Sequence, residues 1–207
     1  MLDHLVYAVP DVQAACDDLE ARLGVRPTLG GRFVQMASYN HLLSLGGGAY
    51  LEVIGPDPDA DDPGQPRPFG IDDRSTPGLV TWAAKATNLS ARVVRAREGG
   101  FDLGEARPLS RQLPDGTSLE WELTMRSEPI GPDGGLVPFL IDWGESRHPS
   151  QTAAKGCQLV EFHGEHPDPE SVMGMLEAVG EPINVTLAAA PAMIATIQGP
   201  KGQIELR

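Results

Sequence analysis

Two titratable side chains sit in apolar runs. His4 lies inside "LDHLVYAVPD" (2–11) and Glu52 inside "AYLEVIG" (49–55). Strand side chains alternate between faces, so His4 would share a face with Val6 and Ala8, and Glu52 with Tyr50 and Ile54. Burying a lone carboxylate costs several kcal/mol even after relaxation. A lone imidazole is cheaper to bury, because it can stay neutral. A divalent cation between the two would compensate both. The plainer alternative is a hydrogen-bonded structural histidine and a salt-bridged carboxylate. The cation reading needs the strands carrying His4 and Glu52 to be neighbours, which residue spacing alone does not show.

The elements that must position them follow one order, three times. After "HLVYAVPD" the apolar positions Val12, Ala15, Cys16, Leu19 and Leu23 have helical spacing, with Asp11 placed to cap the helix and Gly24 to end it. "GRFVQM", "HLLSLG" and "AYLEVIG" read as strands, the last two joined by a tight hairpin at Gly46–Gly48. This gives a βαβββ repeat over 1–55. A second spans 78–144: the strand "GLVTWAAKA", a helix capped by Asn88, the strands "ARPLSRQL" and "LEWELTM" joined by the turn "PDGT", then "LVPFLIDWG". A third, more compact repeat spans 157–207: "CQLVEFHGE", a helix entered through Asp168 and Pro169 with Val172, Met175, Leu176 and Val179 on one face, then "INVTLAA", "AMIATIQ" and "GQIELR". "VPD" (9–11), "ATN" (86–88) and "HPD" (166–168) mark the same strand-to-helix corner. The fold class expected is α+β.

Two segments fall outside the repeats. Residues 56–77, rich in Pro, Asp and Gly, read as a loop or linker, and 145–156 as a connector. Asp57, Asp59 and Asp61 imitate the start of a calcium loop. However, Asp62 stands at the turn glycine and Pro68 at the bidentate glutamate, so a solvated acidic loop is expected instead.

Bulk properties narrow the function. The chain has 207 residues, 41% of them hydrophobic and 22% charged, as in ordinary folded proteins. Its formal charge of −13 repels phosphate backbones, which argues against nucleic acid as a partner and mildly favours cations. No run approaches the roughly 20 apolar residues of a membrane span, and no signal peptide is seen, so a cytoplasmic location is the default expectation. Cys16 and Cys157 lack metal or redox spacing and read as buried thiols. There is no G-x-S-x-G elbow, no dinucleotide fingerprint and no phosphate loop.

"LDHLVYAVPDVQAACDDLEARLGV" with "NHLLSLGGGAYLEVIGPDP" resembles the vicinal oxygen chelate superfamily, in its glyoxalase-like branch. "GLVTWAAKATNL", "RQLPDGTSLEWEL" and "LVPFLIDWGESRHP" resemble later parts of the same branch. The resemblance implies that the three repeats form one glyoxalase-like domain, its mixed sheets curled into an open barrel with the helices outside. It places His4 and Glu52 at metal-ligand positions. In the second repeat, Thr81 matches His4 and Ile141 matches Glu52, with Asp142 one residue off; none is a convincing ligand. In the third, Glu161 matches His4 and Glu205 matches Glu52. The ligand set implied is His4, Glu52, Glu161 and Glu205, suited to Mg, Mn, Fe, Ni or Zn, and it requires the first repeat to pair with the third. No second histidine has a position matching a two-histidine, one-carboxylate triad. Asn40 is placed to orient a substrate oxygen, Trp121 to line a pocket and Arg111 to meet an anionic substrate.

The activity implied is that of a metal-dependent lyase or isomerase. The cation would bind two vicinal oxygens of a small substrate and stabilise an enolate-like intermediate, with Glu52 or Glu205 moving the proton. The rival is a non-catalytic binder of small molecules, as in the drug-sequestering, bleomycin-resistance members of the same fold. Oligomeric state stays open, a homodimer among the alternatives.

Overall fold

The computed structural model describes residues 1–112, 118–128 and 130–207, with only the backbone of Gln112. The βαβββ order occurs three times. The first repeat is β1 (Leu2–Ala8), α1 (Val12–Leu23), β2 (Thr28–Phe33), β3 (Ser38–Gly46) and β4 (Ala49–Pro56). The second is β5 (Gly78–Lys85), α2 (Leu89–Glu98), β6 (Glu105–Gln112), β7 (Ser118–Met125) and β8 (Phe139–Asp142). The third is β9 (Gln158–His166), α3 (Pro169–Val179), β10 (Val185–Leu187), β11 (Ala192–Gly199) and β12 (Gly202–Leu206). Parallel and antiparallel pairs occur together, so the fold is α+β with mixed sheets. The expected "PDGT" turn (114–117) lies outside the described residues.

The helices begin where the corner motif places them. Asp11 Oδ1 accepts from the Ala14 amide at 3.0 Å, Asn88 Oδ1 from Ala91 at 3.4 Å and Asp168 Oδ1 from Ser171 at 3.1 Å. Each side chain satisfies one of the amides a helix leaves without a partner. One strand differs from the expectation. "GRFVQM" is extended only to Phe33; Val34–Met36 form a 3-10 turn that Ala37 closes at φ 43°. β3 then begins at Ser38, earlier than the "HLLSLG" run, and so takes in Asn40.

The chain clusters into two compact units. The amino-terminal unit comprises His4–Val80, His148–Glu161 and Ala195–Arg207. In it β2 pairs with β3, and β3 with β4, both antiparallel, while β4 and β1 run parallel. β4 has pairing partners on both sides, and all its residues but the last are buried. α1 buries Val12, Ala15, Cys16, Leu19 and Leu23. It lies on the face of β4 that carries Leu51, Val53 and Gly55: a Cβ added to Gly55 would meet Val12 Cγ2 at 2.8 Å. The opposite face of β1 and β4 carries His4, Tyr50 and Glu52.

The acidic linker is anchored at its start, contrary to a purely solvated loop. Arg32 Nη1 lies 2.5 and 2.7 Å from the two oxygens of Asp57, and Arg32 Nη2 lies 2.7 Å from Asp59. Asp57 is 5% exposed, so its carboxylate requires that guanidinium. Further along, Arg67 pairs with Asp72 and donates to the Ala37 carbonyl.

The central unit comprises Met1–Asp3, Thr81–Arg147 and Phe162–Ile194. β5 and β8 run parallel, and β8, β7 and β6 follow as antiparallel neighbours. α2 and α3 pack closely: a Cβ on Gly99 would stand 2.8 Å from that of Ala178. Buried Trp82 donates from Nε1 to the Leu136 carbonyl at 2.7 Å, and its ring meets Phe162 edge-on. Arg126 Nη2 reaches Oδ1 of the buried Asp133 at 3.1 Å, and the guanidinium lies over the Phe101 ring.

Burial pushes the Cys16 thiol up to about 11 and raises that of Cys157 as well. Both side chains are almost wholly covered. Neither is therefore a thiolate at pH 8. Iodoacetamide at pH 8 should leave both unmodified in the native protein and label both after denaturation, as read by intact mass. His41 gives a pH signature. Its burial lowers the imidazole pKa below the usual 6.5, with Arg26 adding to the fall and the Pro27 carbonyl opposing it. A histidine depressed in the folded state binds fewer protons there than in the unfolded chain, so stability drops as pH falls below about 6.5. His41→Gln should flatten the fall in urea midpoint between about pH 6.5 and 5.

Candidate functional site

Glu52 stands in the middle of the sheet face opposite α1. Its direct neighbours across the strands are Val6 on β1 and Leu42 on β3, both apolar. Its polar company comes from the diagonals. On β1, His4 pairs directly with Tyr50, two residues before Glu52. On β3, Asn40 pairs with Ile54, two residues after it. Long side chains bridge such diagonals. His4 Nε2 lies 3.6 Å from Glu52 Oε2, and Asn40 Nδ2 donates to Glu52 Oε1 at 2.5 Å. His4, Asn40 and Glu52 are only 4%, 4% and 7% exposed.

The face has an aromatic side. The Tyr50 and His4 rings stack with centroids 4.7 Å apart and 21° between their planes. His148 meets Tyr50 edge-on at 5.8 Å, and its Nδ1 accepts from the Ser150 amide at 3.2 Å. His148 opens a short 3-10 turn, Pro149–Gln151. The chain after it is held to β3 by backbone bonds from Ser44 to the Ala154 carbonyl at 2.8 Å and from Ala154 to the Leu42 carbonyl at 3.3 Å. Ala153 is thereby packed with Leu42 and Tyr50. Tyr50 was open to discovery, because strand alternation places it beside Glu52. His148, in a connector far along the chain, carries no such signal.

The remaining candidates are Glu205, Glu161, Arg111 and Trp121. Glu205, on β12 opposite Thr196, is exposed, and its Oε1 is 2.8 Å from Arg207 Nε. Its neighbours Ile204 and Leu206 take the buried side of that strand, which turns position 205 outward. Glu161 is exposed on β9. Arg111 and Trp121 are in the central unit. They share a face of the β6–β7 pair, with Arg111 opposite Leu119 and Trp121 opposite Leu109. Trp121 lies 5.5 Å from the Trp143 ring, and Trp143 donates to Asp3 at 3.1 Å. The four carboxylate and imidazole ligands expected from the sequence are thus not gathered. Among the described residues no three His, Cys, Asp or Glu side chains form a metal-holding group.

What is gathered fits one edge of a coordination shell. Two ligands each about 2.1 Å from a tetrahedral ion stand about 3.4 Å apart. The 3.6 Å between His4 Nε2 and Glu52 Oε2 is close to that spacing. The donors, one imidazole nitrogen and one carboxylate oxygen, suit first-row divalent ions.

Comparison with known proteins shows the family and the fold. A family model described as a glyoxalase-like domain matches residues 2–180. Among solved structures, a hypothetical protein from Staphylococcus aureus aligns over 99% of this chain and 83% of its own, at 11% identity and a TM-score of 0.62. Methylmalonyl-CoA epimerase from Mycobacterium tuberculosis aligns over 69% of this chain and 87% of its own, at 19% identity and a TM-score of 0.45. A hypothetical protein from Bacillus halodurans aligns over 71% and 96%, at 13% identity and a TM-score of 0.47. No curated protein matches the chain. The family model spans most of the sequence, and the Staphylococcus aureus protein shares the fold along nearly the full length of this chain. This chain belongs to the glyoxalase-like domain family, within the vicinal oxygen chelate fold.

Proposed function

We propose that this protein is an enzyme that moves a proton on a small oxygenated substrate, with His4 and Glu52 as its working pair. One observation carries the reading. Two groups of complementary chemistry, an imidazole and a carboxylate, meet at 3.6 Å on a buried face where apolar side chains would be more stable. Glu52 takes the proton from the substrate and returns it. Asn40 holds one carboxylate oxygen by its hydrogen bond, which leaves Oε2 as the oxygen facing His4. Tyr50, stacked on the imidazole, fixes the plane in which His4 presents Nε2. The burial of the pair excludes water from the transfer. Glu52 rather than Glu205 carries this step, because Glu205 is exposed and paired with Arg207.

His4 and Glu52 are also the residues that would hold a divalent ion, with substrate oxygens and water filling its other positions. Lewis-acid polarisation of a substrate oxygen is the chemistry such an ion supplies when bound. The second reading is a non-catalytic small-molecule binder. It is favoured by the donor count, since among the described residues no third ligand of the usual kinds joins the pair.

Metal analysis of protein purified without chelator, followed by Ni²⁺, Mn²⁺ and Zn²⁺ titrations, separates the two. The enzyme reading expects one ion per chain, with affinity at least tenfold weaker in both His4→Ala and Glu52→Gln. It also expects Glu52→Gln to abolish solvent-deuterium incorporation into 2-hydroxy and 2-oxo compounds screened by NMR. A folded wild-type protein that takes up no ion at millimolar concentration and exchanges no substrate proton would overturn the enzyme reading and leave the binder.

A further inference from the structure

We infer that Gly30, on β2, is a positioning residue for Glu52, acting through Asn40. The inference rests on the role proposed above for Glu52, but its geometry stands apart from it. The β2–β3 register slips between Leu29 and Gly31, so Gly30 falls in an irregularity of the ladder. There its bare Cα lies against the Asn40 amide. A Cβ added at Gly30 would be 2.4 Å from Asn40 Oδ1, 2.7 Å from Leu42 Cγ and 2.9 Å from Leu42 Cδ1. Real side chains do not tolerate such approaches, so something must shift.

The shift falls on Asn40 for a chemical reason. The amide has one orientation open to it: its NH₂ end faces the Glu52 carboxylate, because the carbonyl end turned that way would set oxygen against oxygen. With Nδ2 committed to Glu52, Oδ1 must point the other way, towards Gly30. Oδ1 is buried and has no hydrogen-bond partner among the described residues. Leaving a buried carbonyl unmet is costly, and the amide accepts that cost in order to serve the carboxylate. Gly30 supplies the volume that Oδ1 occupies. The glycine is needed here for space, since its φ is not among the chain's positive values. A side chain at position 30 therefore rotates the Asn40 amide away and releases Glu52 Oε1, acting through Asn40.

The test uses the full chain, with ¹⁵N-labelled wild type, Gly30→Ala, Gly30→Ala/Asn40→Ala, and Leu29→Ala as a control on the exposed side of the same strand. The Asn40 side-chain NH₂ signals are assigned by their loss in Asn40→Ala and traced to the carboxylate by their shift in Glu52→Gln. In Gly30→Ala these signals should move to free-amide positions, while Leu29→Ala leaves them unchanged. Ni²⁺ affinity should fall in Gly30→Ala by tenfold or more, the usual effect of losing a residue that orients a ligand. If Gly30→Ala is too unstable for spectra, the double variant decides. Removing the Asn40 amide relieves the tightest of the three approaches, the one at 2.4 Å, so the pair should unfold at a higher temperature than Gly30→Ala alone. The inference is overturned if Gly30→Ala keeps the wild-type Asn40 signals, or if the double variant is no more stable than the single one. A wild type that binds no Ni²⁺ but shows the expected Asn40 shift in Gly30→Ala supports the positioning role and defeats the metal reading alone.

Discussion

A carboxylate in the middle of a strand buried on both faces has to be answered by its neighbours. β4 lies between β1 and β3, with α1 against one face and the chain around Ala153 against the other. Glu52 is only 7% exposed there. The ladder sets its direct neighbours, Val6 and Leu42, which offer nothing polar. The diagonal positions must therefore carry the compensation, and they do so from opposite sides: an imidazole from β1 and an amide from β3. An ion pair or hydrogen bond in such a place is rarely more stable than packed apolar side chains. The chemical role proposed for Glu52 would account for that cost.

The backbone around the site follows from that requirement. Asn40 can reach Glu52 only because β3 begins early, at Ser38, after the 3-10 turn at Val34–Met36 has ended the preceding strand region. Its amide has room for that orientation because position 30 on β2 is glycine: a Cβ there would stand 2.4 Å from Asn40 Oδ1. The stacking of Tyr50 on His4 uses the directly opposed pair of the β1–β4 ladder, which leaves the diagonal free for Nε2. Three local irregularities or choices, each weak alone, thus converge on one carboxylate. The hairpin at Gly46–Gly48, with all three glycines at positive φ, fixes the register of β3 against β4, and with it the offset of Asn40 from Glu52.

Much of this was legible in the sequence, for physical reasons. The helices were readable because caps and apolar spacing are local: Asp11, Asn88 and Asp168 each do what a short polar side chain does before an apolar helical face. The shared face of Tyr50 and Glu52 was readable because alternation is rigid. That His4 meets Glu52 depended on β1 lying beside β4, a non-local fact that came from resemblance to a family. The donor role of Asn40 towards Glu52 was not readable, since it depends on the amide's orientation. Nor were the anchoring of Asp57 by Arg32 across the start of the linker, or the placement of His148 against Tyr50, because nothing in the intervening chain specifies how a loop returns.

The contrast between Glu52 and Glu205 shows why matching positions in repeated units do not imply matching roles. "LEV" at 51–53 and "IEL" at 204–206 have the same pattern, an acid between two apolar residues. In β4 both faces are covered, so the acid is buried whichever way it points. In β12, at the end of its sheet, only the side carrying Ile204 and Leu206 is buried, and the acid points into water, where Arg207 meets it. An identical tripeptide pattern is thus a ligand candidate in a central strand and a solubilising residue in a terminal one. What distinguishes them is the number of covered faces, a property of the assembled sheet that no window of local sequence contains. A site built on Glu52 therefore draws on the first repeat for its chemistry, and the later repeats need not preserve a copy of it.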